Sequence, residues 1–390
     1  MVEAVAALSP PERRAVATLA IIYAVRMLGL FLLLPVLALY AGSMPGGTPL
    51  LAGLAVGAYG LTQALLQIPF GVWSDRLGRR PVIAAGLLLH IGGSALGYFA
   101  ATAWTLVIAR TVQGMGAVSG PVMALLADRT RPASRTRAMA FIGMSIGLSF
   151  VISLVGGPLL AGKIGVSGIF ALIGGLGVVA LALILFAVPK DAARPAGPVR
   201  RSWREVLTRR LLPYYAGIFI LHLSLTATFI AVPHALRDVH GIAAPQHWKF
   251  YLAVFAASLA LTVPLLLWSE RSAKPARTVV AGALLLALAQ GALALCYLHF
   301  LAMAVALVIF FGAFNFLEAR LPSSLAGAAG EEMRGAALGV FSTCQFAGAF
   351  AGGILGGGLL GSAMGIPGVF LLAGLAAAAW LTVAGRSESR

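Results

Sequence analysis

GVWSDRLGRR, residues Gly71–Arg80, sets one Asp and three Arg between two long apolar runs. Only 10% of the chain is charged, so such a cluster, flanked by apolar segments of about twenty residues each, belongs where a helical hairpin leaves a bilayer and re-enters it. The stretch predicts a tight surface loop, and its three arginines assign that loop to the cytoplasmic side.

The composition around it agrees. Hydrophobic residues make up 60% of the chain, and the mean hydropathy is +0.96, whereas a soluble globular domain is about a quarter charged. A soluble enzyme is excluded. No nucleotide-binding loop, catalytic triad, zinc spacing or haem motif is present, so an ATP-driven pump is disfavoured and no cofactor or metal is expected. The net charge of +16 would suggest nucleic acid in a soluble chain, but here the positions of the charges decide.

The apolar runs predict twelve spans, at residues 15–40, 50–74, 82–101, 104–127, 138–161, 166–188, 211–235, 249–270, 278–297, 300–325, 334–360 and 365–385, each long enough to cross about 30 Å of hydrocarbon. With the N-terminus inside, 22 of the 28 Lys and Arg fall on the cytoplasmic side, three (Lys163, Arg237, Lys249) outside and three (Arg26, Arg110, Arg320) within spans. That asymmetry places both termini in the cytoplasm. The first span is too long for a signal peptide, carries Arg26 and lacks a small-residue cleavage site. Cys296 and Cys344 fall within spans and read as small packing residues rather than a disulfide framework.

The chain echoes itself. Pro69-x-x-x-Trp73-Ser74-Asp75-Arg76 returns 195 residues later as Pro264-x-x-x-Trp268-Ser269-Glu270-Arg271, and Gly165-x-x-Gly168-Ile169-Phe170 returns 200 later as Gly365-x-x-Gly368-Val369-Phe370. These offsets predict an all-α membrane protein of two pseudo-symmetric six-helix bundles, residues 1–188 and 211–390, with a central substrate site between them. Residues 189–210 form a basic cytoplasmic linker, either a plain tether or a short surface helix with Trp203, Val206 and Leu207 toward lipid.

The motif G-x-x-x-D-R-x-G-R-R, here Gly71, Asp75, Arg76, Gly78, Arg79 and Arg80, resembles the loop signature of the major facilitator superfamily. Arg110-Thr-Val-Gln113-Gly114 is similar to that family's R-x-x-Q-G, and Gly157-Pro158-Leu-Leu-Ala161-Gly162 to the motif of its antiporters. Further stretches, among them Gly60-Leu-Thr-Gln-Ala and Asn315-Phe-Leu-Glu318-Ala-Arg-Leu-Pro322-Ser, extend the likeness to a bacterial inner-membrane branch over nearly the whole chain. That branch carries a soluble C-terminal domain, which is expected to be lacking here. The resemblance implies the superfamily fold, alternating access, and proton-coupled export of drug-like compounds from a bacterial inner membrane.

The residues also carry expectations of their own. Asp75 ends the second span where the eleventh begins, so it is placed to latch the halves against that helix's positive end, with Arg79 and Asp128 completing a charge network. Arg76 and Arg80, although part of the motif, read better as topology determinants. Ionisable groups within spans are expensive unless they face a cavity or a partner. Arg26 sits near mid-membrane as an anion contact or charge partner. Glu318 is a candidate proton carrier, unless Arg26 or Arg320 pairs with it. His222 and His90 are further titratable candidates, more simply read as packing. His234, His240 and His247 match no standard metal spacing. Arg110, Gln113, Gly114 and Ala117 share a face of the fourth span, and Tyr59, Gln63 and Gln67 stripe the second. With Tyr23, Phe311, Phe314 and Asn315 they outline a mostly aromatic and apolar cavity, although a packing stripe reads the same. Glycines along the fifth and eleventh spans allow close approach and sliding, and Pro158 adds a bend.

The expected partners are membrane lipid, a small-molecule substrate and protons, with no nucleic acid and no second copy of the chain. Two alternatives stay open: an importer or facilitator of a small solute or metal complex, and a non-transporting membrane sensor or scaffold.

Overall fold

The computed structural model describes residues 8–188, 203–272 and 275–386, and over these it is helical, with no strand. The first predicted span is two helices. α1 (Pro10–Phe31) starts at a capping box in which Ser9 and Glu12 satisfy each other's backbone N–H groups. After a turn around Pro35, which has no N–H to donate, α2 (Leu37–Ser43) completes the crossing. α3 (Pro49–Leu77) is capped by Thr48 and begins at Pro49.

The predicted surface loop is a single residue. α3 ends at Leu77, α4 (Arg79–Tyr98) starts at Arg79, and Gly78 between them turns the chain at φ 96°, a conformation that favours glycine. Asp75 and Arg79 therefore sit on helix ends, where their positions are fixed.

The fourth predicted span, 104–127, is broken. α5 (Ala103–Gly114) and α6 (Ser119–Asp128) are separated by Met115–Val118. Ala117 lies in that break, so it does not share a helical face with Arg110, Gln113 and Gly114 as the i+7 spacing predicts. The fifth and sixth spans run together as α7 (Pro132–Ala182), interrupted at Gly165, φ 72°. The second half continues with α8 (Leu212–His234), α9 (His247–Arg271), α10 (Pro275–Cys296), α11 (Phe300–Leu360, interrupted at Gly330, φ 74°) and α12 (Gly365–Arg386). Both glycine interruptions fall in predicted gaps.

Ten helices among the described residues are long and apolar enough to cross a membrane. The sequence expectation of twelve differs for two structural reasons. The stretch Ala133–Ala187 spans 55 residues as one of the ten, about 80 Å if straight and more than two crossings' worth. α5 and α6, at 12 and 10 residues, are each too short to count alone.

Within the first half α7 packs on α1 and α4, and α5 on α3 and α4. Within the second, α11 packs on α8, α9 and α10, and α12 on α8 and α10. The halves meet chiefly along α3 and α11, and also through α7 with α9 and α2 with α8. The repeat has a structural counterpart. Gly165 and Gly365 both take positive φ, and at Gly168 and Gly368 an added Cβ would press on the side chain four residues earlier, Ile164 or Met364. Of the linker, residues 189–202 lie outside the described residues. Trp203–Val206 forms a 3-10 turn against α11, and Val206 is fully buried, accepting a hydrogen bond from the Tyr215 hydroxyl at 3.2 Å through its carbonyl. Val206 thus packs on protein rather than facing lipid, while Leu207 is exposed.

Candidate functional site

Three groups of residues and one contact between the halves define the candidate site. The first group surrounds Arg79, which is 4% exposed. Its guanidinium donates to Asp75 Oδ1 at 2.5 Å, to Ser74 Oγ at 2.6 Å and to Asp128 Oδ2 at 3.4 Å, so the expected network forms within the first half. Arg80 does more than mark topology. It donates to the carbonyls of Ile184 (3.0 Å) and Leu185 at the end of the sixth predicted span, where free carbonyls and the negative end of the helix dipole favour a cation. Arg76 is exposed. Arg79→Ala is expected to lower stability by about 1–3 kcal/mol, because two carboxylates and a buried hydroxyl lose a charged donor. Thermal unfolding in detergent measures this, and a change within error would mean that the network is solvent-screened.

The second group lies inside the first half and depends on the break between α5 and α6. That break leaves the Gly114 and Gly116 carbonyls outside the helical ladder. Gln63 donates to them through Nε2 at 2.8 and 3.3 Å, and Arg26 Nε donates to Gly116 O at 3.3 Å. Arg26 also donates to Ser119 Oγ and Gln63 Oε1. Its guanidinium carbon lies 6.0 Å from the ring centre of Phe346, on α11, so this face looks toward the second half. Arg110 donates to Gln113 Oε1 and stacks 4.7 Å over Tyr59, while Gln113 Nε2 donates to Ser94 Oγ at 2.9 Å. Tyr59, Gln63 and Gln113 are thus internal partners of arginines, and each is fully buried. Gln67 is buried with Oε1 lacking a partner, and Tyr23 is half-buried.

The third group spans α8 and α11. Gln345 Nε2 lies 3.2 Å from Glu318 Oε1 and 2.8 Å from His222 Nε2, and His222 Nε2 lies 3.9 Å from Glu318 Oε2. His222 Nδ1 is 3.3 Å from the Ile218 carbonyl; donation there leaves Nε2 as the acceptor for the Gln345 amide. One amide therefore bridges an imidazole and a carboxylate. Neither Arg26 nor Arg320 pairs with Glu318 among the described residues, so the carboxylate has no permanent cation beside it. Phe314 meets the His222 ring edge-to-face at 5.7 Å, and Asn315 is half-buried with Nδ2 unpartnered. Gln345 escaped the sequence reading. It follows Ser342, Thr343 and Cys344 in a segment otherwise rich in small and apolar residues, although a lone amide within a span was a usable clue.

Phe311, expected in the cavity lining, joins a cluster that bridges the halves. Phe150 of α7 lies 6.4 Å from Phe311, 5.7 Å from Phe255 and 6.5 Å from Phe229, with Phe31 at 5.1 Å on its other side. Nearby, a Cβ on Gly157 would meet Leu32 O at 2.5 Å and Pro35 Cγ at 2.9 Å, and one on Gly162 would meet Pro245 Cβ at 2.8 Å. Gly157 thus seats α7 against the turn after α1, and Gly162 seats it against the loop before α9.

Contact between the halves is one-sided. A Cβ on Gly57 would fall 2.9 Å from Phe350 O, one on Gly60 2.7 Å from Phe346 O, and one on Gly357 2.5 Å from Pro49 O. Toward the arginine-rich end no such contact is made by the glycines, with nothing within 4 Å of a Cβ on Gly71 of α3 or on Gly335 or Gly339 of α11. Asp75 pairs with Arg79 of its own half.

The family model of the Major Facilitator Superfamily matches residues 19–268. The inner membrane transport protein YajR of Escherichia coli (strain K12) is 41% identical over 97% of this chain and 84% of its own length. The multidrug resistance protein MdtH of Aeromonas hydrophila subsp. hydrophila is 30% identical over 69% of this chain and 68% of its own. Among solved structures, a bacterial homolog of the human lysosomal transporter Spinster superposes with a TM-score of 0.79 at 16% identity, covering 97% of this chain and 98% of that one.

Proposed function

Because the chain belongs to the Major Facilitator Superfamily of multi-pass membrane transporters, we propose that it is a secondary transporter that exports small amphipathic organic compounds in exchange for protons by alternating access. Its working units are two six-helix bundles, residues 1–188 and 211–390. α5 with α6 makes one crossing and α7 and α11 make two each, giving twelve. The arginine-rich end, with both termini, faces the cytoplasm of a bacterium whose inner membrane holds the protein.

The observation that carries this reading is the one-sided contact of α3 with α11. Backbone touches backbone through glycines at one end, whereas a Cβ on Gly71, Gly335 or Gly339 toward the other end meets no atom within 4 Å. A pair of rigid halves with two such edges rocks between two closures, and contacts of this kind leave the states a few kcal/mol apart. On this reading the centre opens toward the cytoplasm, and the Phe150 cluster seals the outer side. In the opposite form the end of α3 bearing Asp75 closes on the start of the eleventh span, where the helix dipole favours a carboxylate.

The Glu318–Gln345–His222 group supports proton coupling. A carboxylate and an imidazole bridged by one amide, with no permanent cation beside them, hold a proton in one form and release it in the other once their surroundings change. The name of the MdtH relative agrees with organic compounds as cargo. Purified protein in lipid vesicles tests the whole reading. An imposed pH gradient is expected to drive a fluorescent amphipathic dye, and an imposed dye gradient to move protons. Dye flux indifferent to the pH gradient would make the protein a facilitator, and absence of flux across a broad dye panel would make it a sensor or scaffold.

A further inference from the structure

A groove of about 560 Å³ runs down the outside of the second half, between α9 and the first part of α11. The two helices run in the same direction there. Phe250 meets Phe300 at 5.4 Å near their starts, and Thr262 donates to the Gly312 carbonyl at 3.5 Å further in. Ala253 and Ala257 stand one turn apart on α9, and Ala304 lines the groove from α11, so short side chains leave space that longer ones would fill. With Val254, Val305 and Val308 they make its walls almost wholly apolar. Ala253, Ala257, Leu301 and Val305 are exposed, so no described part of the chain covers it.

The depth of the groove matches one leaflet. Lys249 to Ala257 is a step of eight residues, about 12 Å of helix, against about 15 Å for half of the hydrocarbon thickness. Apolar walls at that depth offer water no partner, and hydrocarbon fills the space. Charge decides which hydrocarbon. Lys249 and Gln246 line the groove at the start of α9. Lys249 is exposed and has no ion pair among the described residues, whereas Arg237 of the same loop region is held by Asp238 at 2.6 Å. No carboxylate lines the groove, so nothing there receives the ammonium of a zwitterionic headgroup. An anionic phosphate finds a cation and an amide donor together.

We propose that this groove binds one phospholipid with a net-anionic headgroup, an acyl chain lying along Ala253, Ala257 and Ala304 and the phosphate on Lys249 and Gln246. The seated chain braces the pair of helices that carries Phe255 and Phe311, 6.1 Å apart, into the cluster around Phe150. The site needs only that these helices cross a bilayer, and it stands whether or not the protein exchanges compounds for protons.

Native mass spectrometry tests it, on the purified protein released from nanodiscs of equal parts phosphatidylglycerol, phosphatidylethanolamine and phosphatidylcholine. One phosphatidylglycerol per chain is expected to survive activation that strips the other two lipids. Lys249→Gln should weaken its retention about fivefold. Ala253→Phe, which fills the groove and leaves the lysine in place, should remove it, and Arg209→Gln, in the basic linker, should leave it unchanged. Both groove positions are exposed, so these variants should unfold at the wild-type temperature. Equal retention of the three lipids would make the groove ordinary lipid-facing surface and overturn the proposal. So would phosphatidylglycerol retention untouched by Lys249→Gln or by Ala253→Phe. A lipid-free chain carrying a phosphate ion, or a lipid-free dimer, would overturn it as well.

Discussion

Glu318→Gln is expected to bring proton-driven dye movement in vesicles down to background while leaving the protein folded and able to bind the dye. The substitution keeps the shape of the side chain and replaces only the group that takes up a proton. Glu318 Oε1 receives the Gln345 amide at 3.2 Å, and the carbonyl oxygen of an amide accepts that hydrogen bond equally well. No ion pair with an arginine is broken. The effect should therefore fall on coupling and not on stability. Dye exchange between vesicles with no pH gradient should continue, because that reaction needs the halves to rock but needs no net proton transfer. His222→Gln, which keeps a polar group beside Gln345 and cannot be protonated, is the second arm. It is expected to slow proton-driven flux without abolishing it if Glu318 is the carrier. Full proton coupling in Glu318→Gln would remove this group from the mechanism.

Gly57→Leu is expected to stop transport from the opposite direction, by wedging the closed end. Even a Cβ there would stand 2.9 Å from Phe350 O and 3.3 Å from Phe350 Cα, which are backbone atoms that cannot swing aside. A leucine forces α3 and α11 apart at that edge and favours the form open to the outside. Each half keeps its own packing, so unfolding should be little affected; glycine also disfavours helix, and its loss offsets part of the strain. Gly71→Leu is the mirror experiment. Nothing lies within 4 Å of its Cβ in this form, so the side chain fits here and obstructs closure at the arginine-rich end. Cysteine labelling from each side of the membrane should report opposite trapped forms for the two variants. The same accessibility in both would argue that these edges do not gate the centre.

Much of this was legible in the sequence, for reasons specific to a bilayer. Charge is so costly in hydrocarbon that its few occurrences mark loops and function, which is why Asp75, Arg79 and Asp128 could be grouped and Glu318 singled out. The glycine interruptions at Gly165 and Gly330 fell in predicted gaps because polar runs and span lengths constrain where the chain turns. What escaped depends on tertiary hydrogen bonds. The break at Met115–Val118 has no proline at its centre, and Gly114, Gly116 and Ser119-Gly120-Pro121 around it were local breaker signals that the span length overrode. It nonetheless supplies the carbonyls that hold Arg26 and Gln63. Arg80 looked like a topology marker because its acceptors, Ile184 O and Leu185 O, lie more than a hundred residues away. The assembly of Phe31, Phe150, Phe229, Phe255 and Phe311 into one cluster draws on both halves, and no periodicity within a single helix encodes it. Val206 turned inward because a 3-10 turn docks on α11 where an amphipathic surface helix was a natural reading of the pattern.

Distances between spin labels across α3 and α11 test the rocking of the two halves most directly. One pair on Val72 and Ala336 reports the arginine-rich end, and one on Leu50 and Ser362 the other. In lipid, switching the pH gradient is expected to shorten the first distance as the second lengthens, with the two populations interconverting together. Two distances that stay fixed, or that lengthen and shorten in step, would contradict alternating access in this protein.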